Sequence, residues 1–364
     1  MTMGATYVYA IVPTGDRLVL DVAGVGNAGG DHDTVYCVPG HDAAAIVSAS
    51  PLEDYRGLDR RESAIYLVAH QRVVEAAMRV FPVLPVRFGT VLPGEEWVSR
   101  LLAQGESLFR TTLDRFAGLT QMEVVILWNL EQVFQEIGQE ETIARLKGAI
   151  SGRPPEETVS ERIALGRMVQ ASLERRRVAL RDRLLPPLQE VAVDLVINPT
   201  MDDSMVANVA LLVDKGRQGE LDQQLASLDQ ELHGQLLFRC VGPLPPYSFG
   251  TVEIQLPSFE AVDEARQRLA LGEAATPGEI KRAYRRLAGQ FHPDRCPDEA
   301  DAEARMAELT QAYQLLSVYA EGQTLAGRLH SREGENIEPV ARRFDRQAVE
   351  QMLLVSVRRQ EVAV

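Results

Sequence analysis

The sequence predicts an α+β protein in four parts. An N-terminal α+β domain spans residues 1–118, a second α+β domain 119–257, an all-α helical hairpin 258–322 and a C-terminal tail 323–364. Three observations carry this division. Short runs rich in aromatic and β-branched residues alternate with helix-period stretches through the first 257 residues. From Gln121 onward these runs reduce to the order βαββαβ. Between residues 258 and 322 the apolar residues recur at three- and four-residue spacing.

At 364 residues the chain exceeds one ordinary core. Its 45% hydrophobic and 25% charged residues make a globular rather than a disordered composition. A formal net charge of -14 argues against general binding to nucleic acid or to anionic lipid. Cys37, Cys240 and Cys296 are widely spaced and odd in number, so neither a disulfide framework nor a paired-cysteine metal or redox site is expected, which fits a reducing cytoplasm. The opening MTMGATYVYAIVP lacks the basic and long apolar regions of an export signal, and no run approaches the ~20 apolar residues that cross a bilayer. A soluble, cytoplasmic protein without cofactor or metal is expected, with no membrane or nucleic-acid partner.

Thr6–Val12 (TYVYAIV) reads as a strand, with Arg17–Val22 as its hairpin neighbour. Gly24–Gly30 reads as a loop, because GVGNAGG has neither GxGxxG nor Walker spacing. Thr34–Val38 and Ala44–Ser48 read as strands, and Ser63–Arg79 as a helix whose inner side is Ile65, Val68, Ala69, Val73, Ala76 and Ala77. Leu84–Val91 (LPVRFGTV) reads as one strand in which Arg87, next to Phe88, needs either a packed stem or a carboxylate. Glu95–Phe116 reads as another helix.

In the second domain Met122–Asn129 reads as a strand, followed by a short helix after Leu130 and a looser charged stretch up to Pro154 and Pro155. A long helix over Thr158–Leu185, strands over Val191–Asn198 and Met205–Asp214, a helix over Gly219–His233 and a strand over Leu236–Val241 complete a ferredoxin-like order. Phe249–Leu256 is expected as an extra terminal strand. Before it, the prolines of VGPLPPYSF predict a rigid corner bearing Tyr247 and Phe249.

The hairpin carries the most specific signal. Thr276 and Glu279 form a capping box with Pro277 at the first helical position. Ile280, Ala283, Tyr284, Leu287 and Phe291 share one apolar stripe, while Lys281, Arg282, Arg285 and Arg286 fall on the opposite side. Pro293 ends the helix near Phe291. Asp301 then caps a second helix with Ala302, Met306, Leu309, Tyr313 and Leu316 facing the first, so that His292-Pro293-Asp294 forms the tip. With the Tyr-x-x-Leu-Ala run at Tyr284–Ala288 and Ala312-Tyr313 ahead of Leu315-Leu316-Ser317, this stretch resembles the J domain of DnaJ-type co-chaperones. The resemblance implies contact with the ATPase domain of a DnaK-type chaperone through Lys281, Arg282, Arg285, Arg286, His292, Pro293 and Asp294. A row of arginines suits an acidic partner.

Four further islands, Tyr7–Val12, the H-D-x-x-A-I-V-S run at His41–Ser48, Leu84–Val91 and Val241–Phe249, together resemble the gas vesicle protein F and L family over residues 5 to 257. That resemblance implies an accessory role in gas vesicle assembly: binding the hydrophobic shell protein, limiting its aggregation and working with other gas vesicle accessory proteins at the vesicle. The client surface is left open between an exposed strand edge and an apolar helix groove. Arg87, Phe88, Tyr247 and Phe249 are candidate client contacts or, equally, structural residues. The alternative is a J-domain adaptor for an unrelated client.

An enzyme is not expected. His292 with Asp294, His32 with Asp33 and His41 with Asp42 lack an accompanying nucleophile or metal motif, and no HExxH, GxSxG or P-loop is present. His70 and His233 read as structural. The tail segment FDRQAVEQMLLVSVRR reads as an amphipathic helix or a strand that docks back on the protein.

Overall fold

The computed structural model describes residues 5–13, 18–26, 34–52, 54–55, 57–291, 302–328 and 341–360, the side chains of 302–303 and 321–328 excepted. Two compact units result, one of Met1–Arg115 with Thr251–Arg358 and one of Phe116–Gly250 with Arg359–Val364.

The first unit begins with β1 (Thr6–Pro13), buried along nearly its whole length, as a TYVYAIV run requires of a strand covered on both faces. β2 (Val19–Leu20), β3 (Val35–Pro39) and β4 (Ala43–Ala49) follow. After α1 (Arg60–Met78) come β5 (Leu84–Pro85), β6 (Val91–Leu92) and α2 (Glu95–Phe116). The sheet order is β2-β3-β4-β1-β5, with β6 also on β1. Two expectations are corrected. The hairpin neighbour of β1 is not the 17–22 stretch, since β2 pairs with β3 and the long partner of β1 is β4. Among the described residues of the expected neighbour only Val19 and Leu20 are extended, too few to cover a fully buried strand. LPVRFGTV is not one strand either. Thr90 Oγ1 donates to the Arg87 carbonyl at 2.6 Å and Gly89 takes a φ of 79°, so a turn splits it into β5 and β6, both paired to β1.

In the second unit β7 (Leu119–Trp128), α3 (Leu130–Gly138), α4 (Glu141–Ile150), α5 (Val159–Val191), β8 (Asp194–Asn198), β9 (Met205–Asp214), α6 (Gln218–Glu231) and β10 (Leu236–Leu244) follow in order. The antiparallel sheet order β10-β7-β9-β8 is the ferredoxin-like one. The stretch expected to be loose contains α4, which buries Ile143 and Ile150. α5 runs past the expected stop through Pro186 and Pro187 because Leu184 and Leu188, both 0% exposed, hold that turn in the core.

The expected extra strand of that sheet instead belongs to the first unit. β11 (Thr251–Gln255) makes a parallel bridge from Val252 to Val86, and the Arg87 N–H donates to the Val252 carbonyl at 2.9 Å. Next come α7 (Phe259–Arg268), β12 (Ala274–Ala275), α8 (Pro277–Gln290), α9 (Ala302–Arg328), β13 (Arg342–Arg343), α10 (Arg346–Glu350) and β14 (Leu354–Arg358). The tail is therefore both a short helix and a strand. β14 pairs antiparallel with β11, from Thr251 opposite Arg358 to Gln255 opposite Leu354. Phe344, Val349, Met352 and Leu354 enter the same core as Ile280, Leu309 and Leu316. Burial of four such side chains enlarges the core that α7, α8 and α9 build.

Candidate functional site

α8 is built as its sequence dictates. The Thr276 hydroxyl accepts the Glu279 N–H at 3.2 Å and the Glu279 carboxylate accepts the Thr276 N–H at 2.7 Å. The Thr276 N–H, with the Thr276 hydroxyl that donates to the same carboxylate at 2.9 Å, holds the exposed Glu279 carboxyl below its ordinary pKa. Ile280 and Ala283 are buried, and Tyr284, Leu287 and Phe291 pack half-buried against the same core. The Tyr284 ring stacks on Tyr313 of α9 at 4.4 Å.

Lys281, Arg282, Arg285 and Arg286 are all exposed. None of them forms an ion pair among the described residues, unlike the arginines of the neighbouring helix α7. There Arg266 is paired with Asp263 at 2.7 Å and Arg268 with Glu264 at 2.8 Å. α8 thus presents a row of exposed cations, of which Arg282 lies near enough to Glu279 to help lower that carboxyl's pKa. The helix ends with the Phe291 N–H donating to the Leu287 carbonyl at 3.0 Å. His292, Pro293 and Asp294, together with the expected cap Asp301, lie outside the described residues, as do His32 and Asp33.

The other candidates separate. Arg87 is exposed and reaches Glu253 at 3.3 Å, a carboxylate that Arg358 also holds at 2.7 Å. Arg87 thereby has a partly buried carboxylate partner without being buried itself. Phe88 packs at 5.8 Å from both Tyr55 and His70 in an aromatic cluster with Tyr7, Tyr9 and Tyr66. Phe249 is 2% exposed and Tyr247 is half-buried, in a turn where the Phe249 N–H donates to the Pro246 carbonyl at 3.0 Å. Phe344, Val349 and Met352, part of the apolar face expected of the tail segment, do dock into the core, whereas Tyr319 of α9, whose hydroxyl donates to the Arg343 carbonyl at 2.6 Å, was marked by no motif.

His41 approaches Glu106 at 2.8 Å and Asp42 at 3.0 Å, and Asp42 is itself held by Arg110 at 3.0 Å. This is an exposed ionic cluster in which the carboxylate nearest in sequence is already engaged. His70 differs: burial pushes its imidazole down to about 4. One expectation fails on α1. The buried side is His70, Val73, Val74 and Ala77, whereas Ile65 is 56% and Val68 50% exposed. Periodicity marks a stripe but not how far along the helix it is covered.

These features define a protein with α+β units and a J-type helical module. The sequence model of the gas vesicle synthesis protein GvpL/GvpF family matches residues 5–251, and the chain belongs to that family. A DnaJ domain matches residues 267–321, so the chain carries that module C-terminal to the family's body. Gas vesicle protein F of Microcystis aeruginosa (strain PCC 7806) is 25% identical over 255 residues, covering 68% of this chain and 98% of the relative. The chaperone protein DnaJ of Protochlamydia amoebophila (strain UWE25) is 53% identical over 49 residues, 14% of this chain and 13% of that protein. The crystal structure of gas vesicle protein GvpF from Anabaena sp. PCC7120 superposes with a TM-score of 0.56 at 24% identity, covering 67% of this chain and 97% of that one. No helix among the described residues is long and apolar enough to cross a membrane.

Proposed function

We propose that this protein is a non-enzymatic accessory factor of gas vesicle assembly, acting in the cytoplasm and at the vesicle. The GvpL/GvpF body holds the hydrophobic shell protein and limits its aggregation during nucleation. The DnaJ domain recruits a DnaK-type chaperone to the same client. The observation that supports recruitment is the four-cation face of α8, exposed and without ion pairs among the described residues in a chain of net charge -14. Such a face attracts an acidic partner, and the sequence places the His292-Pro293-Asp294 motif directly after it.

The test is ATP hydrolysis by a DnaK-type partner with the wild type, His292→Gln and Asp294→Asn. Stimulation by the wild type alone supports the reading, and equal rates for all three remove the recruitment half. For the holding half, the full chain is co-expressed with the small shell protein. Co-purification supports it, and its absence favours an adaptor for a different client.

A further inference from the structure

The first half of α1 leaves uncovered what the second half buries. Ala64, Ile65 and Val68 lie along one side of the helix, all exposed, and line a shallow groove of about 760 Å³ whose opposite wall is Ala23 and Gly24. That wall is fixed to the core. The Val25 N–H donates to the Tyr9 hydroxyl at 2.8 Å, and Gly24 lies so close that a Cβ there would sit 2.7 Å from the same oxygen. The helical wall is anchored through buried His70, Val73 and Val74. Both sides are therefore pre-organised, which lowers the ordering cost of binding.

Arg61 and Arg72 close the groove at its two ends, eleven residues apart, or ~16 Å along the axis. Both are exposed and neither forms an ion pair among the described residues. The acids of α1 are used elsewhere: Glu62 accepts the Asp59 N–H at 3.3 Å in the N-terminal cap, and Glu75 accepts from Gln71 at 2.9 Å. The groove is thus apolar in the middle and cationic at both ends, on a chain that is acidic overall.

We propose that this groove receives an amphipathic α-helix of a partner protein, apolar at its centre and carrying a carboxylate toward each end. A helix fits because the strip follows positions 61, 64, 65, 68 and 72, the spacing that helix-against-helix packing engages. Charge complementarity selects an acidic partner: a helix with lysines at those ends would meet two arginines that have no ion pair among the described residues. The inference goes beyond the proposed function and does not depend on which protein supplies the helix.

The test uses the full chain and a labelled synthetic helix of ~18 residues with a leucine and alanine face and a glutamate near each end, ~16 Å apart, read by fluorescence anisotropy. A second peptide replaces both glutamates by lysine. The acidic peptide is expected to bind and the basic one to bind at least about tenfold more weakly. Ile65→Glu combined with Val68→Glu abolishes binding, and Arg61→Glu combined with Arg72→Glu reverses the preference between the peptides. All four positions are exposed, and circular dichroism with thermal melting verifies that the variants fold. Equal binding of both peptides, insensitivity to the variants, or stronger Ile65- and Val68-dependent binding to anionic phosphatidylglycerol vesicles overturns the proposal.

Discussion

The Tyr7 hydroxyl hydrogen-bonds Nδ1 of His70 at 3.0 Å and accepts the Gly89 N–H at 2.9 Å. One phenol thereby joins β1, α1 and the turn between β5 and β6. Burial keeps His70 neutral, pushing its pKa down to about 4.

Stability follows from that shift. The unfolded chain protonates His70 near its ordinary value of about 6.5 whereas the folded chain resists until about 4, so the contribution is fully present above ~6.5 and is lost as pH falls toward ~4. The loss is at most roughly 3 kcal/mol. Denaturant melts across that range are expected to show a slope that His70→Phe flattens; an unchanged slope would place the acid sensitivity elsewhere.

The tail is predicted to be a structural part of the helical segment. Ending the chain near Asn336 removes β14 and α10, and with them Phe344, Val349, Met352 and Leu354, each under 5% exposed. At ~1.5–3 kcal/mol per buried side chain the loss exceeds what a small helical core tolerates. Thermal melting is expected to show a destabilised or absent transition for that segment, with rapid proteolysis in α8 or α9. A truncated chain that melts like the full one would refute this.

Two helical glycines are expected to respond to alanine with opposite signs. A Cβ on Gly105 of α2 would overlap the buried Phe109 ring, so Gly105→Ala destabilises by ~1–3 kcal/mol. Gly166 of α5 has nothing within 4 Å of the added atom, so Gly166→Ala stabilises by ~0.5–1 kcal/mol. Urea melts of both variants give the comparison.

If α8 engages a DnaK-type partner through its cations, stimulation of ATP hydrolysis depends on ionic strength. Between roughly 0.1 M and 1 M salt the screening length falls from ~10 to ~3 Å, and most of the effect on association is expected to vanish. Arg285→Glu should reproduce that loss at low salt. Salt-independent stimulation would separate the cations from the contact.

Much of this was legible locally. Thr276, Pro277 and Glu279 announce α8, and the alternation of Met122–Trp128 with Met205–Asp214 announces the ferredoxin-like sheet, because capping and side-chain period are short-range properties. What escaped was long-range. Nothing near Val252 says that its neighbours are Val86 and Val357, and nothing near Ile65 says that the cover over α1 begins at His70. Arg87 shows the limit in one residue: the choice between a packed stem and a carboxylate was readable, but not that Glu253, 166 positions later, supplies the carboxylate.

The pairing of β14 with β11 also bears on how the molecule is made. Phe116–Gly250 is contiguous and emerges from the ribosome with nearly all its contacts in hand, whereas its companion unit needs residues as late as Arg358. The middle of the polypeptide can thus settle during translation, while the N-terminal residues wait, partly uncovered, for the last strand to arrive.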